Sequence, residues 1–110
     1  MKKIELEIVG VQMEGDNVIG LGLYMCKLTS LPESFGDLKS LQTLNLAFNE
    51  LKTFPEFFGE LKSLQELNLG GNGLTSLPEL ILELKSLQTL DIWDNKLTPL
   101  PEALSNLKSL

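Results

Sequence analysis

Few residues of this chain have the types and spacing that catalysis requires. Asp91 and Asp94 form one candidate pair of carboxylates, and Cys26 is the only cysteine. The chain contains no histidine, so it has no imidazole base to activate a nucleophile or to bind zinc. Lys27 is the only cation near Cys26 that could activate its thiol. We therefore expect no catalytic residues, no cofactor and no bound metal, and we classify the chain as a non-enzyme.

The one tyrosine, Tyr24, and the one tryptophan, Trp93, suggest recognition instead of catalysis. These two residue types often anchor interfaces, because each combines a large apolar ring with a polar group. The chain has 9 lysines, no arginine and 15 acidic residues, for a formal net charge of -6. This balance argues against nucleic acid or an anionic membrane surface as a partner. It favours another protein or peptide with a basic segment.

An internal repeat determines where these residues lie. From residue 18 onward the chain consists of four blocks of equal length followed by Leu110, which begins a fifth; the blocks are 18–40, 41–63, 64–86 and 87–109. In the second block, Leu44 and Leu46 alternate as in a strand. Farther along that block, the apolar spacing becomes helical at Phe54, Phe58 and Leu61. Each block is thus predicted to be a strand, a turn and a short helical segment that stacks on the next block.

The block LQTLNLAFNELKTFPEFFGELKS, residues 41–63, resembles a leucine-rich repeat, L-x-x-L-x-L-x-x-N/C-x-L. Its continuation, L-P-x-x-hydrophobic-x-x-L, is similar to the 23-residue intracellular class of Ras-suppressor, scribble and Roco-type proteins. The resemblance implies an α/β solenoid, a right-handed horseshoe with parallel strands on the concave face. Short helical or 3₁₀ segments would form the convex face.

The two ends of the chain depart from the repeat. Residues 1–17 are predicted to form an N-terminal β-hairpin cap, because Ile4, Leu6 and Ile8 alternate with glutamates and a turn sequence follows at 14–17. At the other end, the core face of the last repeat has no following coil. We expect either a fragment of a longer array or a homodimer through the uncapped C-terminal repeat.

One column of the repeat is predicted to be structural. An amide at this bend can donate to backbone carbonyls and accept a backbone N–H of the neighbouring coil, forming a ladder along the solenoid. The column contains Cys26, Asn49, Asn72 and Asn95.

A second set of residues is predicted to bind a partner on the concave face. Tyr24 and Trp93 would stand as two posts beside a saddle of small residues, Ala47 and Gly70. The predicted partner-binding set is Tyr24, Met25, Asn45, Phe48, Glu66, Asn68, Asp91, Trp93 and Asp94. Two alternatives remain open: Tyr24 and Phe48 only cover the ends of neighbouring strands while later repeats cover Trp93, or the face forms a groove for a small molecule.

These observations predict a non-catalytic protein–protein interaction module. The alternative is the recognition arm of a longer signalling enzyme, a Roco-type GTPase or a ubiquitin ligase, truncated at residue 110. We expect a cytoplasmic protein, because Glu5 and Glu7 interrupt any signal peptide and the single cysteine suits a reducing compartment.

Overall fold

A computed structural model describes residues 9–51, 54, 56–77 and 79–97 of the chain. These residues form one five-stranded sheet and three 3₁₀ helices. The strands are β1 (Val9–Glu14), β2 (Asn17–Leu23), β3 (Thr43–Asn45), β4 (Glu66–Asn68) and β5 (Thr89–Asp91). The 3₁₀ helices follow β2, β3 and β4 and span Glu33–Asp37, Glu56–Glu60 and Glu79–Glu83.

The sheet places equivalent residues of successive repeats in straight rows. The strand order is β1-β2-β3-β4-β5, and the pairs from β2 to β5 are parallel. Leu44 pairs with Leu67 and Leu67 with Leu90, so each partner lies 23 positions farther along the chain. The predicted α/β solenoid with parallel strands is confirmed.

The leucine columns form the core on one side of the sheet. Leu44, Leu67 and Leu90 are each 1% exposed, because every coil covers the apolar face of the coil before it. Phe58, from the second 3₁₀ helix, is completely buried in the same cluster. The sheet face opposite this core is the concave face.

The 3₁₀ helices on the other side of the core are only five residues long. The first of them begins after Pro32. The backbone of Pro32 is extended (φ -70°, ψ 153°), so this residue is not part of the helix. Each helix starts with a glutamate, which suits the partial positive charge of a helix N-terminus.

A charged pair joins two neighbouring coils on this convex side. The ammonium of Lys39 donates to Glu60 Oε1 at 2.8 Å. This hydrogen bond and the charge of Lys39, with a smaller contribution from Lys62, hold the pKa of Glu60 below its ordinary value.

At the N-terminal end, β1 runs antiparallel to β2, and the tight turn between them uses a positive φ of 61° at Gly15. The predicted strand at 4–8 lies outside the described residues, as do Leu110 and the part of the last core face that follows Leu97. No helix in the described ranges is long and apolar enough to cross a membrane.

Candidate functional site

The bends after the strands are held by asparagine side chains. Asn72 is 3% exposed, and its amide donates to the carbonyl oxygens of Leu46 and Leu69, each at 3.0 Å. Its amide oxygen accepts the Leu51 N–H at 3.1 Å. Asn49 and Asn95 link their own coils to the preceding coils through the same kinds of bond. The Asn72 bonds satisfy backbone groups that water does not reach.

Cys26 occupies this column in the first repeat but contributes less. Its thiol is exposed and donates only to the Tyr24 carbonyl, at 3.6 Å. Its backbone N–H donates to Asn49 Oδ1 at 3.0 Å. The thiol is shorter than an amide and has one hydrogen, so it cannot make the links that Asn49 makes.

The residue immediately before this column has an unusual backbone conformation in all four repeats. Met25, Phe48 and Asp94 have φ values of 54°, 56° and 55°, and Gly71 has 68°. Residues with side chains rarely adopt this left-handed region, and for a bulky residue it is strained. The Phe48 ring lies against Gly71 of the next coil.

The three rings form a continuous surface feature that we call the aromatic ridge, consisting of Tyr24, Phe48 and Trp93. The ring centroids of Tyr24 and Phe48 are 5.5 Å apart, at an interplanar angle of 72°. Those of Phe48 and Trp93 are 5.0 Å apart, at 68°. Both contacts are edge-to-face, the arrangement that aromatic quadrupoles favour. The ridge therefore spans all four repeats.

Two glycines of the third repeat make room for the ridge. A Cβ at Gly70 would lie 2.7 Å from Trp93 Nε1, and one at Gly71 would lie 2.7 Å from Phe48 Cδ1. Real side chains do not approach so closely, so a larger residue at either position would displace a ring. The first, second and fourth repeats have larger residues in these two columns.

The prediction that Ala47 and Gly70 form an open depression between two separate rings is wrong. The rings of Phe48 and Trp93 lie above Gly70 and Gly71, and Ala47 is only 1% exposed. The small residues therefore seat the rings and do not form an open depression. Trp93 remains 50% exposed and is not packed into the interior.

The polar members of the predicted set differ in their exposure. Asn45 is only 7% exposed, and its oxygen accepts the Ala47 N–H at 3.0 Å. Asn68 and Asp91 make the equivalent bond to the N–H of Gly70 and of Trp93, at 2.9 and 3.3 Å, but both are half-buried. Because of its burial, Asn45 is a structural residue, contrary to its expected role on an open binding face.

Glu66 lies apart from the ridge. It is four residues before Gly70 on the same face, which places it about 13 Å away along the strand direction. Met25 and Asp94, by contrast, occupy the bends at the two ends of the ridge and are exposed. Met25 is 63% exposed.

In the described part of the chain, no three His, Cys, Asp or Glu side chains are grouped so that they could hold a metal ion. The ring contacts make this surface apolar and aromatic, and the exposed Asp94 lies beside it.

Two family models of leucine-rich repeats match the chain, one over residues 21–74 and one, for two repeat copies, over 62–109. Together with the register of 23 residues between strands, these matches decide the classification. The chain belongs to the leucine-rich repeat family. Leucine-rich repeat domains are commonly protein-interaction modules and are generally non-catalytic.

Solved leucine-rich repeat structures resemble the chain over most of its length. A leucine-rich repeat protein of Leptospira interrogans is 36% identical, with a TM-score of 0.66 over 86% of this chain. The leucine-rich repeat domain of the type III effector XopL is 32% identical, with a TM-score of 0.67 over 76%. A chain of the BIR3–SERK2 complex of Arabidopsis thaliana is 36% identical, with a TM-score of 0.73 over 90%.

The chain spans only 31%, 29% and 57%, respectively, of the lengths of these three chains. Comparison with curated protein sequences gives no match.

The role of Gly70 and Gly71 as the seat of the ridge is absent from the sequence-based prediction. Its signal was present, however. The third leucine-rich repeat carries two adjacent glycines in columns where the second has Ala47 and Phe48. A pair of glycines next to columns of bulky residues indicates that neighbouring side chains occupy the space above them.

Proposed function

We propose that the chain is a non-catalytic protein–protein interaction module that binds its partner on the concave face, with the aromatic ridge as its anchor. The observation that supports this proposal best is Trp93, which is half-exposed at the end of a row of ring contacts. Exposed aromatic side chains in a contiguous patch are more frequent at interfaces than on the rest of a protein surface.

Preorganisation adds to this argument. Phe48 is held by its strained backbone, by the Gly71 seat and by rings on both sides. A partner that binds the ridge therefore loses little additional side-chain entropy on the receptor side. Rigid aromatic anchors of this kind contribute most of the binding free energy in many interfaces.

The negative charge of this chain supports a partner with a basic segment. Asp91 lies two residues before Trp93 and Asp94 directly after it, both in the fourth repeat, and the whole chain has a net charge of -6. Opposite charge on the partner would accelerate association, and the effect would weaken with added salt. A cytoplasmic partner fits the exposed, unpaired thiol of Cys26, which a reducing compartment preserves.

One similar structure supports a protein as the partner class. BIR3–SERK2 is a complex of two proteins, and the matched chain shares the fold of this one at a TM-score of 0.73.

The proposal is tested by affinity capture from extracts of the source organism, with immobilised wild-type chain, Trp93→Ala and the convex-face control Lys39→Ala. We expect at least one protein that wild type and Lys39→Ala retain equally and that Trp93→Ala retains about tenfold less. Circular dichroism checks that all three chains are folded. If every protein retained by the wild type is retained equally by Trp93→Ala, the ridge is not the binding site.

A further inference from the structure

We infer that the ridge binds an extended segment of the partner in which an apolar side chain and an arginine or lysine are about four residues apart. This inference rests on the proposed function and specifies the chemistry of its partner. It follows from a difference between the two ends of the ridge, which are chemically unlike although the ring contacts between them are continuous.

The first-repeat end of the ridge is apolar. Tyr24 is half-buried there, and Met25 beside it is 63% exposed, the largest exposed fraction among the exposed large hydrophobic residues of the described chain. Methionine adapts its shape to varied apolar surfaces, which suits it to accept an aliphatic side chain. The nearest charge in the sequence at this end is positive, Lys27, so a cationic side chain is disfavoured here.

The fourth-repeat end is aromatic and acidic. Trp93 is 50% exposed, and Asp91 and Asp94 lie on either side of it in the sequence. The face of an indole attracts a cation, and neighbouring carboxylates strengthen that preference. Lys96 is the one cation close in sequence at this end, and two carboxylates outnumber it. A guanidinium or ammonium group is therefore the complementary ligand.

The distance between the ends sets the spacing on the partner. Met25 and Asp94, at the two ends of the ridge, occupy the same column of the first and fourth repeats, so three strand separations, roughly 14 Å, lie between their backbones. An extended chain rises about 3.4 Å per residue, so side chains four positions apart span this distance. An even spacing also places both side chains on the same face of an extended segment.

The test uses short, terminally blocked synthetic peptides of serine, threonine and glycine that contain one leucine and one arginine at separations from two to six residues. Trp93 is the only tryptophan, so its fluorescence reports binding at the ridge directly. We expect the tightest binding at a separation of four. Replacing arginine by the neutral isostere citrulline should weaken that peptide about tenfold.

Two double variants show whether the acidic end is responsible. Asp91→Asn/Asp94→Asn should fold, because Asn45 and Asn68 occupy the Asp91 column in other repeats and asparagine tolerates positive φ. Its preference for the arginine peptide over the citrulline peptide should fall from about tenfold to about threefold, the part that the indole face alone contributes. Glu33→Gln/Glu79→Gln removes the same charge from two exposed residues of the 3₁₀ helices and should keep the tenfold preference.

Three results would each overturn the inference: equal affinity at all separations, equal affinity for arginine and citrulline, or no binding by any peptide. The proposed function is tested separately, by the capture experiment. If Trp93→Ala still loses a captured protein while the peptides show none of these preferences, only the partner chemistry is wrong.

Discussion

Phe48 and Trp93 belong to coils two repeats apart, yet their ring centroids lie only 5.0 Å from each other. The rings meet above the third repeat, where Gly70 and Gly71 leave space that any side chain would fill. The surface feature that we propose as the anchor thus depends on two residues that have no side chain.

The close contact between Gly71 and the Phe48 ring predicts that a methyl group added at Gly71 destabilises the chain. Gly71→Ala should be destabilised by about 1–2 kcal/mol through positive φ alone, and further because the new Cβ displaces Phe48. Gly15→Ala is the matched control, since Gly15 has a similar φ of 61° and nothing within 4 Å of an added Cβ. Urea unfolding should place Gly71→Ala about 1 kcal/mol below Gly15→Ala.

Trp93 fluorescence adds a second readout to the same pair. The emission maximum should shift in Gly71→Ala, because Phe48 no longer contacts the indole, and should be unchanged in Gly15→Ala. Equal stability and identical emission of the two variants would show that the rings do not depend on Gly71.

The positive φ at Phe48 predicts that glycine destabilises the chain less than alanine at this position, the reverse of the usual order. With φ at 56°, Phe48→Gly should be about 1 kcal/mol more stable than Phe48→Ala, because glycine adopts this region without a Cβ clash. At Thr89, a residue of β5 without positive φ, glycine should be the less stable substitution. Thermal unfolding of the four variants measures both orders. The strain is absent if glycine is worse at both positions.

The asparagine column predicts that the loss of folding free energy on replacing an asparagine depends on how deeply that asparagine is buried. Asn72→Ala leaves the buried Leu51 N–H and the Leu46 and Leu69 carbonyls without the bonds described above, at a cost of about 3 kcal/mol. Asn95→Ala removes similar bonds at a half-buried site, where water can replace them, and should cost about 1 kcal/mol. Chemical denaturation compares the two variants, and equal losses would contradict a difference caused by burial.

The ion pair on the convex side predicts a pH effect. Because Lys39 lowers the pKa of Glu60 in the folded chain, the ionised carboxylate stabilises folding above the unfolded-state pKa. That stabilisation is lost as the pH falls through the lower, folded-state pKa. In Lys39→Met, carbon-detected NMR should show the Glu60 pKa rising toward its ordinary value. Lys85→Met, which removes a lysine of the same column one repeat beyond Lys62, should leave it unchanged, and an unaltered titration in Lys39→Met would refute the pairing.

Much of the fold was predictable because it depends on periodic positions. Leucines such as Leu44 and Leu67 recur every 23 residues, and only stacked coils bury all of them at once. The family and the solenoid of parallel strands are confirmed on this basis.

The shape of the ridge was not predictable in the same way. The column positions of Tyr24 and Trp93 follow from the repeat, but the direction of each ring depends on backbone dihedrals after the strand. Positive φ at Phe48 breaks a local rule of residue preference, so no propensity argument anticipates it. The burial of Asn45 was missed for a related reason, because alternation along a strand assigns a face but not what covers that face.

The central claim is that a protein partner covers Trp93, and fluorine NMR tests it most directly. Incorporating 5-fluorotryptophan labels Trp93 alone, and an unlabelled partner from the capture experiment contributes no signal. We predict that saturating partner shifts the single ¹⁹F resonance and sharply reduces its solvent isotope shift, because the exposed half of the indole becomes buried. A resonance whose position and isotope shift are unchanged in the complex would contradict the claim.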